Sequence, residues 1–525
     1  MHTQVAEAET IRAAVNEPPS RARVIAAIAL LTALAVVVGV VGKQWPFTEQ
    51  AVVTWLEQHS GSKVQIGGFR ATYFPHPGCV ANEVAFYKTA GGPPFITIRQ
   101  LTITASYFGL PTSHIDTVRV DGVVVQLDRQ TFSEALRGTI LGLTVEHVIA
   151  DGAQIVIPAE QKGQPPLVFR VPKVALHEVT DTGPLKFQIL VHVPLPDAEV
   201  HLAGKFGPWE TGRTAQAIAS GSYAVHYLDL GSIAGLAGKL VASGKFEGDL
   251  QNVKVDGTLD APNFEVRQAR HPVHLAAEYI ATVHGLNGDV EIEAARAHFR
   301  RTTIFGAGVV SGKGTDSGKA VTAELSAKQA RIEDLLWLLV SDNPPAMSGP
   351  VAFRGKVQLP PDGDQFTKKI KLDGDFGISD AQYPNPDTQK YIDVLSARAR
   401  GLAAEVQDGQ KSGTDYDPGR VLTDLKGHVT MTNGVAHLRD VSFSMPGAEG
   451  SLSGTYGVLS ERIDLQGHMR MEAELSKTTT GLQSMLLKVM RPFLHKSKHH
   501  VSVVAVRIGG TYDKPTYTAT PIAEK

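Results

Sequence analysis

The chain has 525 residues, a length that allows about three ordinary domains or one long irregular one. Its 51 lysines and arginines against 53 aspartates and glutamates give a net charge of −2, which argues against the basic face of a nucleic-acid binder. With 42 % hydrophobic and 20 % charged residues the composition is not that of a disordered chain, and the single cysteine, Cys79, excludes an intrachain disulfide and a cysteine-based zinc cage.

The first element is apolar. Val24 to Val41 read VIAAIALLTALAVVVGVV, 18 residues with no charge and only Thr32 polar. At about 1.5 Å per residue such a helix is ~27 Å long, close to the hydrocarbon thickness of a bilayer. Arg12, Arg21 and Arg23 precede it and Lys43 and Trp45 follow, so residues 1–23 are expected in the cytoplasm and Trp45 at the far interface. A cleaved signal peptide is the alternative. Its apolar region is usually about 7–15 residues, and Val40-Val41-Gly42 is a poor cleavage site. The expectation is a single-pass anchor over 24–41, with the body of the chain across the membrane.

After the anchor, Thr48–His59 has helical spacing, with Thr48 as N-cap and Gly61 as stop. Strand signals then dominate. Lys63–Ile66, Phe95–Ala105, Asp116–Leu127, Thr144–Ile157 and Leu185–Val193 are rich in Val, Ile and Thr with period-2 stretches. Asp121-Gly122, Asp151-Gly152 and Thr182-Gly183-Pro184 read as turns, and Cys79 in His-Pro-Gly-Cys reads as a turn residue. From Gly244 onward glycines punctuate short alternating runs, as in Ser348–Leu359, Lys371–Ile378 and Lys426–Tyr456. There are 51 glycines and 30 prolines, and no fixed repeat period, so an irregular meander is expected. Helices are expected over Ala330–Leu339 and Thr480–His495, and a loop over Gln407–Gly419. Pro492 falls inside the second helical pattern and is expected to kink or end it.

The search for chemistry is mostly negative. Gly312 to Lys319 resembles a phosphate loop but has wrong spacing, and Ala320 stands where Ser or Thr is required, so a hairpin turn is expected. Gly450-Ser-Leu-Ser-Gly454 has Leu452 at the nucleophile position of an esterase elbow. The 19 histidines are scattered; His192, His201 and His226 read as structural, and His499-His500 would point to opposite faces of a strand. The carboxylates Asp249 and Asp256 read as turn caps. No catalytic residue, metal ligand or cofactor is expected.

What remains is alternating amphipathicity over a long chain. A sheet with one apolar face that curls makes a dry groove, and the physical use of such a groove is lipid. Exposing an acyl chain of ~16 methylenes to water costs on the order of 13 kcal/mol. A continuous apolar trough removes most of that cost.

Two segments resemble the AsmA-like family of bacterial envelope proteins. One runs from the anchor through Arg129, with Pro75-His-Pro77, Ala81-Asn-Glu-Val-Ala-Phe-Tyr87, Ile96–Ala105 and Ile115–Leu127 in order. The other is Leu425–Tyr517, with Met431-Thr-Asn-Gly434, Leu438-Arg-Asp440, Gly450–Gly454, Arg462-Ile-Asp-Leu465, Gly510-Thr511 and Lys514-Pro515. The resemblance implies a mainly β fold: a transmembrane helix, then a long, curled, mostly antiparallel sheet forming a hydrophobic groove, capped by a few short helices. It divides the chain into a 46–130 N-terminal module, a 131–420 extended middle and a 421–525 C-terminal region. It implies an inner-membrane anchor, a periplasmic body, phospholipids as partners, a role in outer-membrane assembly and no catalytic residues. An outer-membrane or periplasmic protein partner fits the same reading.

Candidates to line the groove are Ile96, Ile98, Ile103, Val123, Val125, Leu127, Val191 and Val193. Alternation alone does not say which face turns inward. The helix over 480–495 has two readings: a lid on the sheet, or a contact with anionic headgroups through Lys488, Arg491, Lys496 and Lys498. Two alternatives to lipid binding stand beside it: a non-enzymatic envelope scaffold that binds another protein, and an envelope hydrolase built on two carboxylates in a cleft.

Overall fold

The protein is described from a computed structural model over residues 46–88, 92–112, 114–126, 144–157, 167–180, 183–194, 196–208, 217–232, 235–249, 251–284, 289–312, 319–341, 344–361, 366–400, 421–472, 502–511 and 514–522. The expected anchor over 24–41, the loop over 407–419, the helix over 480–495 with its four cations, His499-His500 and Leu127 lie outside these residues. Among the described residues no helix is long and apolar enough to cross a membrane. The protein is mainly β, with a few short helices. It divides into two units, Met1–Val118 and Arg119–Lys525.

In the first unit, helix α1 (Glu49–Ser60) forms where expected. Thr48 Oγ1 accepts from Ala51 N at 3.3 Å, and Gly61 closes the helix at φ 63°, a left-handed conformation that costs glycine nothing. Glu57 on its last turn accepts from Val64 N at 3.1 Å and from Lys63 Nζ at 3.3 Å, tying α1 to the next strand. The Val64 N–H first, and Lys63 with it, hold the Glu57 carboxyl below its usual range.

Three antiparallel strands follow: β1 (Lys63–Thr72), β2 (Gly78–Tyr87) and β3 (Ile96–Thr104). On β2 the buried residues are Cys79 and Ala81, then Val84 and Phe86, so the inward face shifts by one residue. Glu83 at φ 53° absorbs that shift. Ile96 and Ile98 lie opposite Phe86 and Val84, and Ile103 opposite Cys79. All three therefore share the buried face, although strict alternation would separate Ile98 from Ile103. Cys79 is a correction: it lies inside β2, fully buried, not in a turn. Burial pushes its thiol up to about 12.

Strand β4 (His114–Gln126) carries the boundary between the units. Beyond it, the second unit is a long open antiparallel sheet. Its strands are β5 (Thr144–Ile157), β6 (Leu167–Val179), β7 (Leu185–Pro194), β8 (Asp197–Phe206), β9 (Ile218–Asp229), β10 (Leu236–Ala237), β11 (Lys239–Asp249), β12 (Asn252–Val266), β13 (Val273–His284), β14 (Asp289–Phe299) and β15 (Thr302–Ser311). It continues with β16 (Ala320–Arg331), β17 (Pro350–Leu359), β18 (Lys371–Ala381), β19 (Thr423–Thr432), β20 (Val435–Met445), β21 (Ala448–Gly457), β22 (Arg462–Met471), β23 (Ser502–Thr511) and β24 (Pro515–Pro521). From β5 to β24 each strand pairs with the next, except that β9 pairs with β11 and the two-residue β10 pairs with β12. Antiparallel pairing of strands in near-sequential order makes the meander that the glycine-punctuated sequence implies.

Two expected turns are corrected. Asp121-Gly122 lies within β4 and Asp151-Gly152 within β5, where Gly122 and Gly152 take φ near 65°. Glycine there shifts the strand's facing by a residue without ending it. Asp249 does cap a turn, accepting from Gln251 N and Asn252 N at 2.9 and 2.8 Å, whereas Asp256 sits mid-strand in β12 on the polar face.

One face of this sheet is predominantly apolar. Register carries it from Val255 to Ala281, Ile292, Gly308, Ala323, Val357, Leu372 and Met431 on successive strands. The opposite face carries Lys254, Asp256, Lys356, Asp373 and Asp375 in the same strands.

Three helices cover part of the apolar face. Helix α2 (Ile332–Leu339) begins two residues later than expected, because Ala330 and Arg331 still pair with Val351 and Pro350 in the ladder. Its Ile332 and Leu335 pack on the buried cluster of Ala327, Ala330, Val351, Ile378 and Ala381. The four-residue α3 (Phe366–Lys369) places Phe366 on the cluster of Leu230, Leu236, Val266 and Ala269. Helix α4 (Pro386–Ala399), which the sequence reading missed, packs Leu395 and Ala399 against Met469, Met471 and Val504.

Candidate functional site

Between β6 and β14 most of the apolar face is left uncovered by helix among the described residues, with α3 reaching it through Phe366, and the sheet forms a groove of about 900 Å³. This is within the ~300–1,000 Å³ typical of ligand sites. Twenty side chains from eight strands line it, and the tyrosine hydroxyls of Tyr223 and Tyr279 are the polar groups among them. At about 4.8 Å per strand, eight strands span roughly 34 Å across the sheet.

The floor is built from two neighbouring rows of cross-strand partners. In the first, Phe187, Gly204, Gly221 and Phe246 lie opposite one another on β7, β8, β9 and β11. The two phenyl rings lean over the glycines and stack at 6.3 Å. A Cβ on Gly221 would stand 2.9 Å from the Phe246 ring. In the second row, Tyr223, Gly244, Gly257 and Tyr279 lie opposite one another on β9, β11, β12 and β13. The two phenols meet above the glycines, oxygen to oxygen at 2.6 Å. A Cβ on Gly244 would lie 2.7 Å from the Tyr223 oxygen. The glycines thus serve a packing purpose: they lower the floor so that aromatic rings can lie across it. Desolvation first, then the Tyr279 hydroxyl, raises the Tyr223 phenol well above its ordinary range.

Of the expected lining residues, Val191 and Val193 share this face of β7 but are not among the twenty that line the groove. They continue the alternation of Leu185, Phe187 and Ile189 along β7, opposite Val200 and Ala198. Ile96, Ile98 and Ile103 belong to the buried face of the first unit, as described above. Val123 and Val125 lie on β4, half-buried, and are not among the groove-lining residues. The residues that line the groove most densely were not singled out from the sequence: Phe246, Val253, Val255, Tyr279, Val283, Val290 and Ile292. The signal was present in Lys245-Phe246-Glu247 and Val253-Lys254-Val255-Asp256, where alternating charges mark the solvent face and so label the other.

Several charged groups outside the groove are committed to structure. Asp334 on α2, with no exposed side-chain surface, accepts from Arg300 Nε at 2.9 Å, Arg301 N at 3.0 Å and Thr302 Oγ1 at 2.9 Å. Glu333 accepts from Arg301 at 2.6 Å, Arg331 at 2.8 Å and Gly349 N at 3.0 Å. Burial opposes the charged form of Glu333, but the Gly349 N–H and Arg331 outweigh it, and its carboxyl is held below the usual range. Trp337, one turn further along α2, is sandwiched between the Arg300 guanidinium at 4.5 Å and the His271 ring at 4.1 Å. This cluster locks α2 onto the strand ends.

The phosphate-loop-like run joins the paired ends of β15 and β16, and Lys319 and Gly312 N both donate to Asp289, each at 3.1 Å. On the polar face Glu199 lies 3.0 Å from His201 and 3.6 Å from His192, and the His201 and His226 rings pack at 4.1 Å. No protein-family model, no curated protein and no solved structure matches the chain.

Proposed function

We propose that this protein binds lipid acyl chains in the open groove and shelters them from water. The observation that carries the reading is the groove's lining: twenty side chains over eight strands with two hydroxyls as their polar groups. Left empty, this surface is costly in water at about 25 cal/mol per Å², and an acyl chain laid along it removes the cost on both sides. The apolar run over 24–41 supports an anchor that holds the groove beside a membrane, the source of such cargo. The ordered resemblance of the two ends to AsmA-like proteins adds an envelope setting, with phospholipid as cargo, the periplasm as compartment and outer-membrane assembly as the purpose. On this reading the protein is a conduit or chaperone, and its work is physical transfer without a chemical step.

The test uses adjacent residues on opposite faces of β14. A photo-crosslinking amino acid at Val290, which lines the groove, should capture phospholipid in the full-length protein. The same probe at Glu291, on the exposed face, should not. Equal capture at both positions, or none at either, would reject the reading.

A further inference from the structure

The Tyr223–Tyr279 pair is the polar point in an otherwise apolar floor, and its hydrogen bonding is incomplete. Two phenols carry two protons. One lies in the 2.6 Å bond between them. Besides its partner, the Tyr223 hydroxyl reaches the Asp256 carbonyl at 3.5 Å. At that length it is a weak contact, well beyond the about 2.5–3.0 Å of a good O–H···O bond. Whichever phenol donates to its partner, the second proton has no short hydrogen bond among the described residues.

An open groove satisfies that proton with water. A plain hydrocarbon chain laid across the floor strips the water away and leaves a donor unpaired, which is unfavourable. Cargo with an acceptor at that point avoids the loss. Both tyrosines sit near the middle of their strands, four residues or more from either end, so the acceptor must sit within the length of an apolar cargo. A headgroup at the groove's rim does not meet that need. The carbonyl of an acyl ester does: it is a strong acceptor bonded directly to the acyl chain, on the hydrocarbon side of the headgroup.

We infer that the Tyr223–Tyr279 pair is a carbonyl-recognition point, and that the groove selects acyl-ester lipids over ether-linked lipids of the same length. This rests on the lipid reading above and names its cargo class. Tyrosine is the residue suited to the task. Its ring contributes to the apolar floor, and its hydroxyl is held in place by its partner across two glycines.

The experiment offers the full-length protein, with the crosslinker at Val290, an equal mixture of a diacyl phosphatidylcholine and its dialkyl ether analogue in detergent micelles. Mass spectrometry of the adducts reads the ratio. One hydrogen bond predicts diacyl adducts in excess by about fivefold. In Tyr223→Phe/Tyr279→Phe the ratio should fall to about one, with total adduct maintained. A ratio near one with the tyrosines intact overturns the inference, whether or not the variants fold. So does a preference that survives in a folded double variant. Absence of either adduct fails the lipid reading itself, a distinct outcome. Tyr279→Phe alone provides the intermediate case.

Discussion

The open groove over β6–β14 and the helix-covered floor over β18–β24 are the same sheet face, connected residue by residue through the ladder. Both are lined by alternating aliphatic and aromatic side chains. Under α4 the remaining space is about 250 Å³, against about 900 Å³ in the groove. The covered floor also carries more polar groups: Thr388 bonds Tyr517 at 3.3 Å, Tyr383 bonds Thr423 at 3.1 Å, and Tyr391 stacks on Tyr517 at 4.5 Å. An apolar face therefore has two uses in one protein. Where the chain supplies a helix, the face becomes core and contributes stability. Where no helix among the described residues lies over it, the face forms an open groove.

Substitutions that separate these uses should have very different sizes. The largest effect is expected from a charge under α4. Ala399 is fully buried, so Ala399→Asp should destabilise the protein by about 3–5 kcal/mol in denaturant unfolding. Val255→Asp, on the open floor, should cost less than about 1 kcal/mol and abolish lipid capture at Val290. Comparable losses of stability would erase the distinction between the two regions.

Next in size is the polar lock on α2. Asp334→Ala removes the acceptor of three donors and leaves the Arg301 N–H and the buried Thr302 hydroxyl proton without it, while the part-exposed Arg300 turns to water. A loss of about 3 kcal/mol is expected from chemical denaturation, with the groove's lipid capture retained in the folded fraction.

Smaller again is Gly257→Ala. Its added methyl group would collide with the Tyr223 oxygen and with the Ser243 carbonyl oxygen at 2.6 Å. A loss of about 1–3 kcal/mol is expected, together with a displaced tyrosine pair. The ester-over-ether preference should fall with it.

Acid titration gives a graded effect. The folded Glu333 carboxyl is depressed below 4.5, so its stabilising contribution is present above about pH 4.5. It is lost as the pH falls through the folded value. Unfolding midpoints measured from pH 6 to pH 3 should drop in that window, and less so in Glu333→Gln. The smallest effect is expected at the exposed Arg507–Asp464 pair, 3.1 Å apart, where Asp464→Ala should change stability by less than about 0.5 kcal/mol.

Much of the fold is written in local pattern. Thr48 and Gly61 bound α1 because a hydroxyl cap and a left-handed glycine act on neighbouring backbone groups alone. The strands from β11 onward follow the alternation of Lys245-Phe246-Glu247 and its successors, since period two is a property of a single strand. Helix α4 was legible in principle and was overlooked: Asn385 caps it, with Oδ1 accepting from Thr388 N at 3.1 Å, and Pro386 occupies the first turn. Cys79 was misread because His-Pro-Gly before it is turn-like, while its own burial comes from β3 pairing across it.

Length, composition and alternation by themselves determined a mainly β chain with an apolar and a polar face, because those properties need only the neighbours along the backbone. Tertiary structure decided which residues meet. Phe187 and Phe246 are far apart in the chain, and Tyr223 and Tyr279 likewise; each pair becomes a contact only when two intervening strands present glycines in the same row. Tertiary structure also decided which stretch of the apolar face stays open, since coverage by α2 and α4 depends on where the chain returns across the sheet. Register and coverage are relations between distant segments, and no local propensity carries them.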